Sequence, residues 1–443
     1  MHPRHFVAAA LLALSYSANS QSPAGQIPSA QDAPVIDYRA GVAPVQAVPL
    51  ALSLDDALGI AASSNPVLRS AVARADASAG AFIQAGARPN PNLSLLQEGF
   101  GGQERTSTAL VEQTIELGGK RRARLDVASY GRQAALASLD GQAAQLRAAV
   151  ITAFYDRLAA QRQMQVAQES ADTALRSADM ADKRARAGKI SPVESTKARV
   201  AAADAQIALA TARTQATLAL EKLANVTGSP DVRGRTVTGD LDALPEIEPL
   251  SSLQSRLDES PLSRAAQAEV LRSNALVSVE KARRIPDITI SAGMKRVITS
   301  GIPGNQAVVG VSIPLPLFDT NKGAILEASH NAEKASADLD SETARLRLEL
   351  AQSWSSYENA VQEARQLKDD VLPAARQTLE AMLRGFQLGK FSFLEVLDAQ
   401  RTLFQGQSQY VKVLSTAHQA YADIGRLIGT PLVADRASAT RLN

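Results

Sequence analysis

The sequence predicts a mainly helical chain with a small β part, a tandem duplication of very long antiparallel helices with two short strands in each copy. Three observations carry this. The phrase Gly-Lys-x-Ser-x-x-Glu occurs twice, in "AGKISPVESTKA" from Ala187 and "LGKFSFLEVLDAQ" from Leu388. Asn65-Pro66-Val67-Leu68-Arg69 is matched by Ser260-Pro261-Leu262-Ser263-Arg264, and "ARPNPNLSL" by "ARRIPDITI" without a gap, so that Leu93 falls on Ile288 and Leu95 on Ile290. Between these landmarks apolar residues step by threes and fours over stretches longer than an ordinary globular helix. The repeat is far longer than a solenoid unit.

In chain order, residues 1–20 read as a signal peptide. Arg4 with His2 and His5 makes a basic start, "FVAAALLALSYSA" a short apolar region, and Ala18-Asn19-Ser20 a small-residue cleavage site. The alternative is a buried first helix. Residues 21–50 form an extended Pro/Ala-rich arm. Repeat 1 spans residues 51–228. A helix of about thirty residues comes first, followed by two strand-like segments, "NPNLSLLQEGF" and "STALVEQTIEL", turned by "GGQER". This first pair reads equally as an irregular loop. A helix over residues 121–187 follows, about 65 residues and roughly 100 Å long. Leu136, Leu139, Ala143, Leu146, Val150 and Ala153 mark its coiled-coil seam. Residues 229–250 link the copies. Repeat 2, residues 251–430, follows the same plan, with strands "IPDITISAGMKRVITS" and "QAVVGVSIPLPLF" turned by "GIPGN", and a kink or short break at Pro373. Residues 431–443 form a tail.

Composition removes several classes of function. A net charge of +2 and 4% aromatics argue against nucleic acid. With no cysteine there are no disulfides, thiolate sites or cysteine nucleophiles. Outside the leader the histidines are His330 and His418, each read as isolated from any partner at ligand spacing. Met164, Met180, Met294 and Met382 are scattered and read as filler. No nucleophile with its base, phosphate loop or metal cage is recognisable. The expectation is a non-enzyme without cofactor or bound metal.

The repeated phrase is a helix reversal. Gly188 and Gly389 supply the left-handed position that ends one helix. Ser191 and Ser392 cap the next, with Glu194 and Glu395 completing capping boxes and Pro192 at the first helical position. Lys189 and Lys390 lie in the turns. The turns therefore stand at the pole farthest from the strands. Two strands per copy give four per chain, too few to close a barrel. Three chains would supply twelve strands and twelve long helices, enough for a closed barrel continued by a helical tube. The pattern by itself leaves two- and four-chain closure open.

With these features in place the chain resembles the TolC-like outer-membrane efflux family. The resemblance extends from Leu52 to Gly429 and rests on the duplicated plan and on "VEQTIELGGKRRARL", "VGVSIPLPLFDTNKGAI" and "LRGFQLGKFSFLEVLDAQRTLF". The wording of "IELGGKRRAR" and "IPLPLFDTNKG" is most similar to the heavy-metal branch, the outer-membrane component of cobalt–zinc–cadmium pumps. Many relatives carry an acylated N-terminal cysteine, which this chain lacks. The resemblance implies a homotrimer, with a twelve-stranded barrel in the outer membrane of a Gram-negative bacterium and an α-helical tunnel in the periplasm. It implies a passive exit duct for divalent metal cations delivered by an inner-membrane RND-type pump and a periplasmic adaptor (a membrane fusion protein). Drug efflux or type I secretion is the alternative within that class. A soluble periplasmic coiled-coil adaptor or scaffold is the alternative outside it.

The resemblance places the tip turns Gly188, Lys189, Ser191, Gly389, Lys390 and Ser392 against the adaptor. It makes Glu395, Asp398 and Glu194 the pore constriction. Glu395 and Asp398, three apart, share a helix face, and threefold symmetry would turn them into rings that attract cations. Capping accounts for Glu395 as well and for most of Glu194, but not for Asp398. Arg88, Lys120, Arg121, Arg122, Arg124, Arg283, Arg284 and Lys322 cluster at the helix–strand junctions. They read as a basic girdle at the outer-membrane lipid surface, against the alternative of a solvated charged face.

Overall fold

A computed structural model describes residues 51–100 and 104–432. The signal peptide, the N-terminal arm and nearly all of the C-terminal tail lie outside the described residues. Each half of the chain begins with two helices: α1 (Leu54–Ser64) and α2 (Pro66–Ala85) in the first, α5 (Leu250–Leu257) and α6 (Pro261–Arg283) in the second. The sequence reading of one opening helix is corrected here. The residue before proline is driven out of the helical region, so Asn65 and Ser260 become N-caps and Pro66 and Pro261 start new helices. Asn65 Oδ1 accepts the Val67 and Leu68 N–H groups at 2.8 and 3.1 Å.

Strands β2 (Asn92–Glu98) and β3 (Glu104–Ile115) follow α2, and β5 (Ile288–Thr299) and β6 (Ile302–Ser312) follow α6. The first pair is a true hairpin rather than a loop. All four make one antiparallel sheet in the order β2-β3-β5-β6, leaving β2 and β6 as open edges. Register sorts the side chains by face, because successive residues of a strand point to opposite sides. Leu93, Val111, Ala292 and Val309 lie in one cross-strand row, and Leu95, Ala109, Met294 and Ala307 in the next. The opposite face carries Leu96, Thr108, Lys295 and Gln306 in one row and Asn92, Glu112, Ser291 and Gly310 in another. The sheet thus has an apolar face, largely exposed, and a polar-rich one. A small parallel pair, β1 (Ala51–Leu52) with β4 (Thr236–Val237), ties the start of the described chain to the segment between the halves.

The long helices are α3 (Lys120–Arg186, 67 residues) and α4 (Pro192–Thr227) in the first half. In the second half they are α7 (Lys322–Gln366), α8 (Leu372–Gln387) and α9 (Phe393–Leu427). At 1.5 Å per residue α3 is about 100 Å long. Its seam is buried from Leu146 through Val150 to Ala153, but Leu136 is 44% exposed while its neighbour Ala137 is buried. The apolar stripe drifts around a straight helix, and Ala137 takes the inward position there. Pro373 sits in the first turn of α8, and the expected break is a π-helical turn at Leu367–Val371. The wider turn accommodates the missing proline donor without ending the helix. Among the described residues no helix is long and apolar enough to cross a membrane.

The main core joins Val150 and Phe154 of α3 to Leu346 and Leu350 of α7 and Leu414 and Leu427 of α9. Aromatic side chains there hold down the segment between the halves. His418 Nε2 lies 3.0 Å from the Leu241 carbonyl, Tyr410 donates to Asp242, Tyr357 to the Pro245 carbonyl, and Trp354 to the Glu248 carbonyl. His418 is fully buried, stacked on Tyr155, and its Nδ1 has no hydrogen-bond partner among the described residues. Burial lowers its pKa below the ordinary 6.5, against the smaller opposing pull of the Leu241 carbonyl and Asp240. In that window the unfolded chain binds a proton that the folded chain does not, so stability falls as pH drops below about 6.5, by at most about 1.4 kcal/mol per pH unit. Thermal melts from pH 7.5 to 5.5 are expected to show this loss, reduced in His418→Gln. Equal pH slopes in both proteins would refute it.

Candidate functional site

The two Gly-Lys turns sit together at the end of the helices opposite the sheet. Gly188 and Gly389 are left-handed, with φ of 70° and 75°. Each helix ends in a Schellman motif. Gly188 and Lys189 N–H groups bond to the Ala185 and Arg184 carbonyls, and those of Gly389 and Lys390 to Phe386 and Gly385. Gly385 lies so close to the Phe391 ring that a Cβ there would clash with it.

The reversals differ in their caps. At the second, Glu395 Oε2 accepts the Ser392 N–H at 2.7 Å, the carboxylate half of a capping box, and also the Ser392 hydroxyl at 3.0 Å. At the first, Ser191 Oγ accepts the Val193 N–H at 3.3 Å, and Glu194 makes no side-chain hydrogen bond to the described residues. The capping box expected for Glu194 is therefore not formed, because the Ser191 hydroxyl is already turned to the nearer donor. Glu194 is left half-buried and its carboxylate free.

Glu395 and Asp398 lie together, both exposed, along a groove of about 400 Å³ between α8 and α9 that also includes Val371, Thr378, Met382 and Thr402. The sequence placed them on one face, and the structure adds that this face borders an open groove.

Arg184 was missed in the sequence. It reaches from the last turn of α3 to the end of α8, donating from Nη1 to the Phe386 carbonyl and stacking its guanidinium 4.7 Å above the Phe386 ring. Phe386 packs edge-on against Phe393 at 5.8 Å. A cation on the exposed carbonyls of a helix C-terminus is favourable. This contact joins the first-copy reversal to the second. Ser195 Oγ also donates to Asp182, binding the two arms of the first hairpin together. A basic residue in the last helical turn was the available signal, but Lys183 and Arg186 share it.

At the other pole the eight basic residues of the expected girdle are not equivalent. Lys120 pairs with Asp287 at 2.7 Å, Arg124 makes a two-pronged pair with Glu116, and Arg283 pairs with Glu280 at 2.6 Å. The Glu116 hydrogen bond raises the Arg124 pKa, and the Asn321 amide, more than Arg283, holds Glu280 below the ordinary carboxylate range. Arg121 donates only to the Gly86 carbonyl, at 2.7 Å. Arg88, Arg121, Arg122, Arg284 and Lys322 have no carboxylate partner among the described residues. His330, read as isolated, contacts Glu333 at 2.9 Å one helical turn away. No group of three metal-ligating side chains occurs among the described residues.

Comparison with known proteins agrees with this arrangement. The profile of the outer membrane efflux protein family matches twice, over residues 57–229 and 252–430. The cobalt-zinc-cadmium resistance protein CzcC of Cupriavidus metallidurans is 42% identical over 85% of this chain and 90% of its own. The nickel-cobalt-cadmium resistance protein NccC of Alcaligenes xylosoxydans is 30% identical over 69% of each. Among solved structures, the outer-membrane channel OprN superposes with a TM-score of 0.74 over 86% of this chain and 90% of its own, at 20% identity, a likeness of fold.

Proposed function

This chain belongs to the outer membrane efflux protein family, and on that premise we propose that it is the outer-membrane duct of a tripartite efflux system exporting divalent heavy-metal cations. The observation that carries the substrate is the 42% identity to a cobalt-zinc-cadmium resistance protein along nearly its whole length. A soluble adaptor is disfavoured by the paired strands in both halves, whose apolar face needs lipid. Family and fold are those of channels, and the energy for transport belongs to the RND-type pump.

The working form is a homotrimer. Open edges at β2 and β6 cannot face lipid, and closure between copies removes them. The reversal pole, with Lys189 and Lys390 in its turns, receives the periplasmic adaptor. Just inside it, Glu395, Asp398 and Glu194 from each copy ring the pore and attract cations. At the barrel end Arg122, Arg284 and Lys322, without a carboxylate partner among the described residues, form the girdle beneath the outer-membrane headgroups. Metal ions are cargo here, held weakly because no three metal-ligating side chains come together among the described residues.

The test is metal tolerance of a deletion strain, complemented with the intact gene. Growth inhibition at lower zinc, cobalt or cadmium, with unchanged response to dyes and antibiotics, is the expected result. The reverse pattern would keep the duct and overturn the cargo.

A further inference from the structure

The two open edges of the sheet carry complementary attachments on the helical side. β2 leaves that side at Asn92 and β6 returns to it at Ser312, running in opposite directions. Antiparallel closure between copies therefore sets the residues after β6 of one chain beside those before β2 of the next.

The segment after β6 is apolar and bare. Leu315, Leu317 and Phe318 are 73%, 74% and 100% exposed. The segment is nevertheless held in shape by Pro314 and Pro316 and by the Leu317 N–H bonded to the Leu315 carbonyl at 2.9 Å. Such a preformed apolar surface marks a contact site. Its first charged residue is Asp319, which uses Oδ1 to hold the Asn321 N–H at 2.8 Å and leaves Oδ2 without a partner among the described residues.

Before β2 lies a cleft of about 610 Å³ lined by Arg88, Pro89, Gln113, Ile115, Glu116 and Arg121. Its one acid, Glu116, is already taken by Arg124. Gln113 is turned onto the Pro89 and Thr114 carbonyls at 3.0 and 2.9 Å. That leaves an apolar wall at Ile115 and Pro89 beside two guanidiniums without a carboxylate partner among the described residues.

We propose that residues 313–319 of one copy seat in this cleft of the next, with Phe318 against Ile115 and Pro89 and Asp319 on Arg88 and Arg121. The clasp locks the trimer where barrel and helices meet, and it leaves Arg122, Arg284 and Lys322 to face lipid. It rests on the closed homotrimer proposed above.

The absence of cysteine makes the test clean. Full-length protein carrying Arg88→Cys and Asp319→Cys, oxidised or bridged with a short bis-maleimide in detergent, is expected to run as covalent trimer on denaturing gels. Each single variant is expected to run as monomer. Failure to cross-link in a sample whose light-scattering mass is that of a trimer overturns the clasp and leaves the trimer standing. A monomeric mass overturns both. Asp319→Arg is expected to lower the yield of heat-resistant trimer about tenfold, and Arg88→Glu with Arg121→Glu in the same chain to restore it. An undiminished yield overturns the pairing. A fluorophore at Phe318→Cys quenched by brominated lipid would place the segment in the bilayer and overturn the proposal.

Discussion

Removing Glu395 and Asp398 together, as Glu395→Ala with Asp398→Ala, is expected to lower the cation-over-anion permeability of the reconstituted channel by about tenfold. Both carboxylates are exposed along one groove just inside the reversals, and in a trimer they repeat around the axis. Charge concentrated in a narrow passage enriches counter-ions there, so the effect falls on selectivity rather than on assembly. Alanine also removes the Glu395 bonds to Ser392, at a cost of about 1 kcal/mol in helix capping. Glu395→Gln separates the two roles, because glutamine still accepts the Ser392 N–H but carries no charge. If Glu395→Gln keeps full selectivity while the single Glu395→Ala loses it, Glu395 acts as a cap. Unchanged selectivity and unchanged closed-state leak in the double alanine variant would end the constriction reading for both residues.

Arg184→Met is expected to loosen the two reversals from each other and raise the resting conductance. The guanidinium bonds the C-terminal carbonyl of α8 and stacks on Phe386, and methionine replaces neither contact. Loss of a charge-assisted hydrogen bond of this kind costs about 2 kcal/mol, a shift of roughly thirtyfold in a closed-to-open equilibrium. Arg184→Lys keeps the charge but not the planar fork and is expected to fall between. Single-channel recordings read this directly. Wild-type resting conductance in Arg184→Met, in protein with an unchanged melting temperature, would show that the contact does not hold the tip closed.

Much of the fold was legible because its signals are local and repeated. A left-handed glycine followed by a serine cap specifies a reversal from its own backbone conformation, and both turns are where the glycines placed them. Alternation of apolar residues marked the strands, including the first hairpin, whose wording was compatible with a loop. The division of each opening helix was also written in the sequence, in Asn65-Pro66 and Ser260-Pro261, but the continuous apolar period outweighed it.

The carboxylate pair at Glu395 and Asp398 was legible for the same local reason, spacing along one helix. Glu194 was not, because the choice of the Ser191 hydroxyl between two nearby N–H groups depends on the geometry of the turn. The division of the basic cluster into paired and unpaired members required Asp287, Glu116 and Glu280, which the fold brings to it. His418 looked like any helical histidine until α9 was packed against the Leu241 carbonyl and Tyr155.

The sequence alone therefore determined the elements, their order, the duplication and the two poles, since caps, turns and periodicity act over a few residues of backbone. Only the tertiary structure decided which cations keep an unshared charge, that Arg184 joins the two reversals, and that β3 pairs with β5 to merge both copies into one sheet. Those outcomes depend on which distant groups meet, and long-range side-chain partners leave no periodic trace in the chain.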